Sequence, residues 1–142
     1  MSEKVLLVDD ELDFLEAMSE RMTARGMEVT TASSAKEAIE IIEKISFDAI
    51  ILDFQMPEMD GMQALQTIKA KRPESQIILL TGYATLEKGV EAMKIGATDF
   101  IEKPADLEAL SDKIKKAKAE RMLIADKQQA DKVLAAIRKY GV

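Results

Sequence analysis

An α/β fold, with five parallel strands and helices wound on both faces of the sheet, is predicted for this chain by three observations. Short apolar runs at Val5–Val8, Ala49–Leu52, Ile77–Leu80 and Asp99–Ile101 alternate with stretches of helical periodicity, the pattern of parallel strands buried on both faces. Gly26, Pro73 and Gly96 punctuate the boundaries between them, as residues that stop or turn a chain do. Each of these runs also leads into residues with chemistry to offer: Asp9 and Asp10, Asp53, Thr81, and Lys103. The carboxyl ends of parallel strands are where such sheets build sites, so these residues are expected along one edge.

Each element has its own signal. After the first strand, a helical pattern opens at Glu11 and sets Leu12, Leu15, Met18 and Met22 on one face before Gly26, where a left-handed cap is readily adopted. Asp10 and Glu11 are suited to the cap and first turn of that helix. A second strand spans Glu28 to Ala32. Ser34, with Glu37 three residues on, reads as a capping box opening a helix whose apolar face is Ala38, Ile41, Ile42 and Ile45. The strand ending at Asp53 follows, then a loop at Met56-Pro57-Glu58-Met59-Asp60-Gly61 and a helix from about Met62 to Ala70. The fourth strand ends at Thr81-Gly82, a helix covers roughly Leu86 to Ile95, and the fifth strand runs to Lys103. From Asp106 to Tyr140 there is neither Gly nor Pro, so helix is strongly favoured.

Composition limits the chemistry. A chain of 142 residues with 47% hydrophobic content suits one core plus an appendage. With no cysteine and no histidine, disulfides, thiolate metal sites and imidazole catalysis are excluded, leaving carboxylate, hydroxyl and amine. No apolar stretch approaches a membrane span, and Met-Ser-Glu-Lys leads straight into the first strand, so no membrane association and a cytoplasmic location are expected. Residues 1 to 112 hold 11 Lys/Arg against 23 Asp/Glu, a balance of −12, while residues 113 to 142 hold 9 against 3, or +6. An acidic body argues against direct DNA binding, and the basic tail reads first as a solvated helix end.

Five strand-helix units with right-handed crossovers close naturally as a flavodoxin-like doubly wound sheet of order 2-1-3-4-5. In that order the first and third strands are neighbours, which brings Asp9 and Asp10 beside Asp53 at the switch point. Clustered carboxylates repel one another unless a divalent cation neutralises them, and an ion held by oxygen ligands invites a phosphate. The residues therefore point to Mg²⁺ and a phosphoryl group.

Val5-Leu6-Leu7-Val8-Asp9-Asp10-Glu11, Asp53-x-x-Met56-Pro57-x-Met59-Asp60-Gly61, Thr81-Gly82 and Phe100-x-x-Lys103-Pro104 together resemble the receiver domain of two-component response regulators, over about residues 3 to 120. The resemblance implies that Asp53 is the phosphoacceptor. Asp9, Asp10 and Asp53, with the backbone carbonyl of Gln55, would then be the Mg²⁺ ligands. It further implies that Lys103 and Thr81 pair with the phosphoryl oxygens. Thr81 and Phe100 would form a switch that reshapes the face of the fourth helix, fifth strand and fifth helix. Phe100 stands where the family often has tyrosine, and Gln55 where it often has asparagine or a small residue. Pro104 is in this family commonly preceded by a cis peptide bond. The implied partners are a sensor histidine kinase or histidine phosphotransferase and a downstream target protein of unknown identity.

In the tail, Leu107, Leu110, Ile114 and Ala117 are expected to face the sheet, while Val133, Leu134, Ile137 and Tyr140 form a second apolar stripe. That stripe has three candidate roles: packing on the receiver, pairing with another subunit in a homodimer, or docking a partner. The expected division is a receiver over 1–120 and a helical extension over 121–142. Two other function classes stand beside the receiver. A phosphatase of the haloacid dehalogenase type also uses an aspartate after a parallel strand with Mg²⁺, but needs a second aspartate where this chain has Gln55. A scaffold that has abandoned phosphorylation would be expected to lack Asp53, one of the acidic pair or Lys103, and all are present.

Overall fold

Strands and helices alternate strictly along the chain: β1 (Lys4–Val8), α1 (Leu12–Ala24), β2 (Glu28–Ala32), α2 (Ala35–Lys44), β3 (Ala49–Asp53), α3 (Gly61–Lys71), β4 (Ile77–Thr81), α4 (Leu86–Lys94), β5 (Asp99–Glu102) and α5 (Leu107–Lys139). The computed structural model describes residues 2–54, 61–81, 86–103 and 106–139, without the side chains of Thr81, Leu86 and Lys88. The strands form one parallel sheet in the order β2-β1-β3-β4-β5, as the sequence predicts.

Alternation along each strand divides the core in two. Leu6, Val8, Ile50, Leu52, Ile77 and Leu79 point to the face covered by α2, α3 and α4, where they meet Ala38, Ile42, Leu65, Ile68 and Ala92. Val5, Leu7, Ala49, Ile51, Ile78 and Leu80 point to the other face, against Leu15, Met18 and Met22 of α1 and Leu110, Ile114 and Ala117 of α5. Burial on both faces is why these strands read as unbroken apolar runs rather than as alternation.

Several local expectations need correction. Leu12 is 68% exposed: it opens α1 beyond the carboxyl edge of the sheet, where its side chain meets no strand. The N-cap of α1 is Glu11 rather than Asp10, and its side chain makes no capping bond. In α2, Ser34 Oγ accepts the Glu37 amide as predicted (3.1 Å), but the Glu37 carboxylate reaches back to Ser33, accepting from its hydroxyl at 3.1 Å and its amide at 3.3 Å. Ile45 lies outside that helix, as an extended C-cap residue, and is exposed. Helix α3 starts at Gly61, one residue before the expected Met62.

Gly61 is required by proximity. A Cβ there would lie 2.7 Å from both Cα and O of Phe54, and the Gly61 amide donates to that same carbonyl at 2.9 Å. The residue after Asp53 is thereby tied to the first turn of α3. At the end of α1, Gly26 has φ +89°, the left-handed cap its position predicts.

Helix α5 is one unbroken element of 33 residues, about 50 Å long at 1.5 Å per residue. Its first half packs on the sheet, and Arg121 closes that contact by donating to Asp48 at 3.0 Å. The other Asp48 oxygen accepts the Lys4 amide at 2.8 Å. Residues 125–139 are exposed throughout. Val133, Leu134 and Ile137 are about half exposed, so the second stripe does not pack on the body. At 100° per residue it points about 160° away from the side occupied by Leu110 and Ile114, so it does not continue the face that packs on the sheet. Tyr140 lies outside the described residues. Among those residues no helix is long and apolar enough to cross a membrane.

Candidate functional site

The strand order sets the site. β1 and β3 are neighbours at the centre of the sheet, with Val8 beside Leu52, so the residues that follow β1 meet Asp53 at the end of β3. Asp9 is fully buried and still runs along β2, its amide donating to the Ala32 carbonyl at 3.1 Å. Both its carboxylate oxygens are engaged. Oδ1 accepts the Glu11 amide at 2.9 Å, a turn that aspartate favours by bonding the backbone two residues ahead, and Oδ2 accepts from Lys103 Nζ at 2.8 Å. Asp10 is exposed, whereas Asp53 is 5% exposed. One carboxylate oxygen from each of Asp9, Asp10 and Asp53 lies within 4.8 Å of the others.

Lys103 enters from the far edge. It follows β5, the outermost strand, and its long stem carries the ammonium back to the centre, 2.8 Å from Asp9 and 3.7 Å from Asp53. Burial would lower its pKa, but the hydrogen bond with Asp9 and the charges of Asp53, Asp9 and Glu11 together outweigh burial, so the net shift is upward from the ordinary 10.5. Among the described residues the site thus sets the three carboxylates of Asp9, Asp10 and Asp53 against the Lys103 ammonium. Such a cluster favours a further cation, and a set made only of oxygen donors, one of them open to solvent, fits a hard divalent ion.

Of the other expected residues, Thr81 ends β4 with its backbone paired opposite Glu102; its hydroxyl lies outside the described residues, as do Gln55 and Pro104. Phe100 of β5 pairs with Leu79 of β4 and is half-buried against the α2–α3–α4 face. It therefore lies one strand beyond Thr81, on the outermost strand of the sheet.

With the sheet order and the acidic cluster in place, comparison with known proteins decides the family: the response regulator receiver domain model matches residues 5–115. The chain belongs to that family. This receiver is 38% identical over 112 residues to the response regulator protein FleR of Pseudomonas aeruginosa, a match covering 79% of this chain and 24% of FleR. It is 35% identical over 115 residues to the transcriptional regulatory protein ZraR of Escherichia coli strain K12, covering 81% and 26% of the two chains. The receiver spans about a quarter of the length of these curated relatives. Among solved structures, a response regulator receiver domain protein from Clostridium thermocellum superposes with a TM-score of 0.83 at 35% identity, covering 86% of this chain and 98% of that one.

Two contributors at or near the site were not anticipated. Phe14 of α1 places its ring under the Lys103 ammonium, 4.9 Å from the centroid, a contact between residues far apart in sequence that no local pattern announces. The Glu11 amide fixes the Asp9 carboxylate, and here the aspartate two residues earlier was an available signal.

Proposed function

We propose that this response regulator receiver accepts a phosphoryl group on Asp53 from a phosphohistidine of a sensor histidine kinase or histidine phosphotransferase, and passes the signal to a downstream protein. The observation that carries this reading is the convergence of Asp9, Asp10 and Asp53 within 4.8 Å under the ammonium of Lys103. An Asp53 oxygen attacks phosphorus, the P–N bond to the donor imidazole breaks, and the electron pair leaves with the imidazole, which takes a proton from solvent. Burial of Asp53 leaves its carboxylate few competing water contacts. The side chains of Asp9, Asp10 and Asp53, with the Gln55 carbonyl, would hold Mg²⁺. A bound Mg²⁺ supplies positive charge against the carboxylates and the phosphoryl oxygens.

Lys103 is placed to follow the charge. In the unmodified chain it bonds Asp9 and stands 3.7 Å from Asp53; the added negative charge and the new phosphoryl oxygens on Asp53 would draw it across. The Thr81 hydroxyl would donate to another phosphoryl oxygen, and the shift of Thr81 with Phe100 would alter the α4–β5–α5 face. The receiver unit is assigned to 1–120 and the helical extension to 121–142, in a cytoplasmic setting. Direct DNA contact is no part of this reading, and self-association of the extension is a separate question of size.

The test is intact mass after incubation with acetyl phosphate and Mg²⁺. One adduct of a phosphoryl group is expected, not formed when a chelator is present during the incubation and absent in Asp53→Asn. An adduct that persists in Asp53→Asn, or none under conditions that modify another receiver, would overturn the assignment.

A further inference from the structure

We propose that Phe14 is a positioning residue for Lys103, holding the ammonium over the acidic cluster by the face of its ring and so setting the rate at which Asp53 is phosphorylated. The inference rests on the reading of Asp53 as acceptor and adds a residue on α1 to it. The Lys103 ammonium has three donors. One is given to Asp9 at 2.8 Å, and Asp53 at 3.7 Å lies beyond hydrogen-bonding distance. The Phe14 ring lies 4.9 Å away from the nitrogen by its centroid, within the range where an aromatic face attracts a cation. Phe14 is itself half-buried against the α1–α5 core, so packing fixes the ring independently of the lysine.

An aromatic face suits this task better than the alternatives. A carboxylate there would take a donor and lock the ammonium in place. A small residue would admit water, which solvates an ammonium strongly and would let the flexible stem wander. The ring attracts charge without demanding a direction, so Lys103 keeps its remaining donors for the phosphoryl oxygens and moves from Asp9 towards Asp53 across a flat surface. Nothing in the chain's motifs marks Phe14: it stands five residues beyond Asp9, inside a helix, among ordinary apolar positions.

Leucine and tyrosine separate this role from packing, since leucine keeps an apolar side chain and removes the ring face, while tyrosine keeps the face. The rate of Asp53 phosphorylation is measured against acetyl phosphate concentration in Phe14→Leu, Phe14→Tyr, Lys103→Met and the double variant Phe14→Leu/Lys103→Met. Phe14→Leu is expected to lower the saturating rate by about three- to tenfold, the size of an aromatic–cation contact, and Phe14→Tyr to restore it. In the Lys103→Met background the leucine change should have no further effect. A wild-type rate in Phe14→Leu, or the same fold loss without Lys103, overturns the proposal. NMR of the unmodified protein decides the contact without phosphorylation: the Lys103 ε-methylene should show an upfield ring-current shift, lost in Phe14→Leu and kept in Phe14→Tyr. If the wild type takes no phosphoryl group, the Asp53 reading fails while this shift still decides the contact; its absence from the wild type overturns the contact itself.

Discussion

Lys103 carries the most consequence per atom, because among the described residues it is the cation that bonds Asp9 within a cluster of three carboxylates. Its raised pKa makes it a stability element with a definite pH range. A group whose folded pKa lies above its unfolded value contributes fully below the unfolded pKa, here the ordinary 10.5, and loses the contribution as pH rises through the folded value. The melting-temperature difference between wild type and Lys103→Met should therefore be flat through neutral pH and shrink only above about 10.5, as read by thermal denaturation in a pH series. A difference that declines between pH 7 and 9 would contradict this. Lys69 acts with the opposite sign: burial lowers its pKa, so its charged form opposes folding at neutral pH and relief begins below 10.5. Comparing Lys103→Met with wild type cancels that second effect.

Two elements tie the site to the rest of the chain in ways a substitution can read. The first is the start of α3, where Gly61 abuts the residue after Asp53. Gly61→Ala places a methyl 2.7 Å from the Phe54 backbone, which must give way; overpacking of this kind costs about 1–3 kcal/mol. Chemical denaturation should show a loss of that size, and phosphorylation of Asp53 should slow with it. An alanine variant as stable and as fast as wild type would show that the Phe54 backbone yields to a methyl without cost. The second element is α5, whose residues 125–139 are exposed along their whole length. A chain ending at Ile124 keeps Arg121 and its bond to Asp48, so its melting temperature should stay within about 2 °C of the full chain, the scale of ordinary surface changes. A larger drop in dilute solution would mean that the exposed stripe is covered, and light scattering of the two lengths would identify self-association as the cause.

For the whole molecule, the acidic cluster lies at the junction of β1 and β3, so an ion bound there would link the two central strands. Ligands that bind only the folded state stabilise it by mass action, about 2.7 kcal/mol at a hundredfold excess over Kd. Mg²⁺ should accordingly raise the melting temperature, and should do so less in Asp53→Asn, where one charged donor is lost. The metal-free Asp53→Asn variant should itself melt higher than wild type, because removing one of three close carboxylates relieves repulsion. Equal Mg²⁺ shifts in both proteins would place the binding elsewhere.

Much of this arrangement was legible from residue order alone. Strands buried on both faces write themselves as apolar runs, caps and turns demand particular residues such as Gly26, and right-handed crossovers leave few ways to order five strands. That reasoning reached the sheet order, the separate placement of Asp9, Asp10, Asp53 and Lys103 at strand ends, and the first half of α5. Three features depended on contacts between residues distant in the chain. Leu12 has the periodicity of a core residue and is exposed because the sheet ends beneath it. The apolar stripe at Val133, Leu134 and Ile137 has the spacing of a packed face and is exposed, since α5 runs on beyond the turns that pack on the sheet. Phe14 reads as one more apolar helix position, yet its ring lies under an ammonium 89 residues away. Sequence determined which residues could be buried and which backbone turns were possible, because hydrophobic period and local sterics are local properties. Only the tertiary structure decided which of those residues actually meet, because that depends on where each element ends in space.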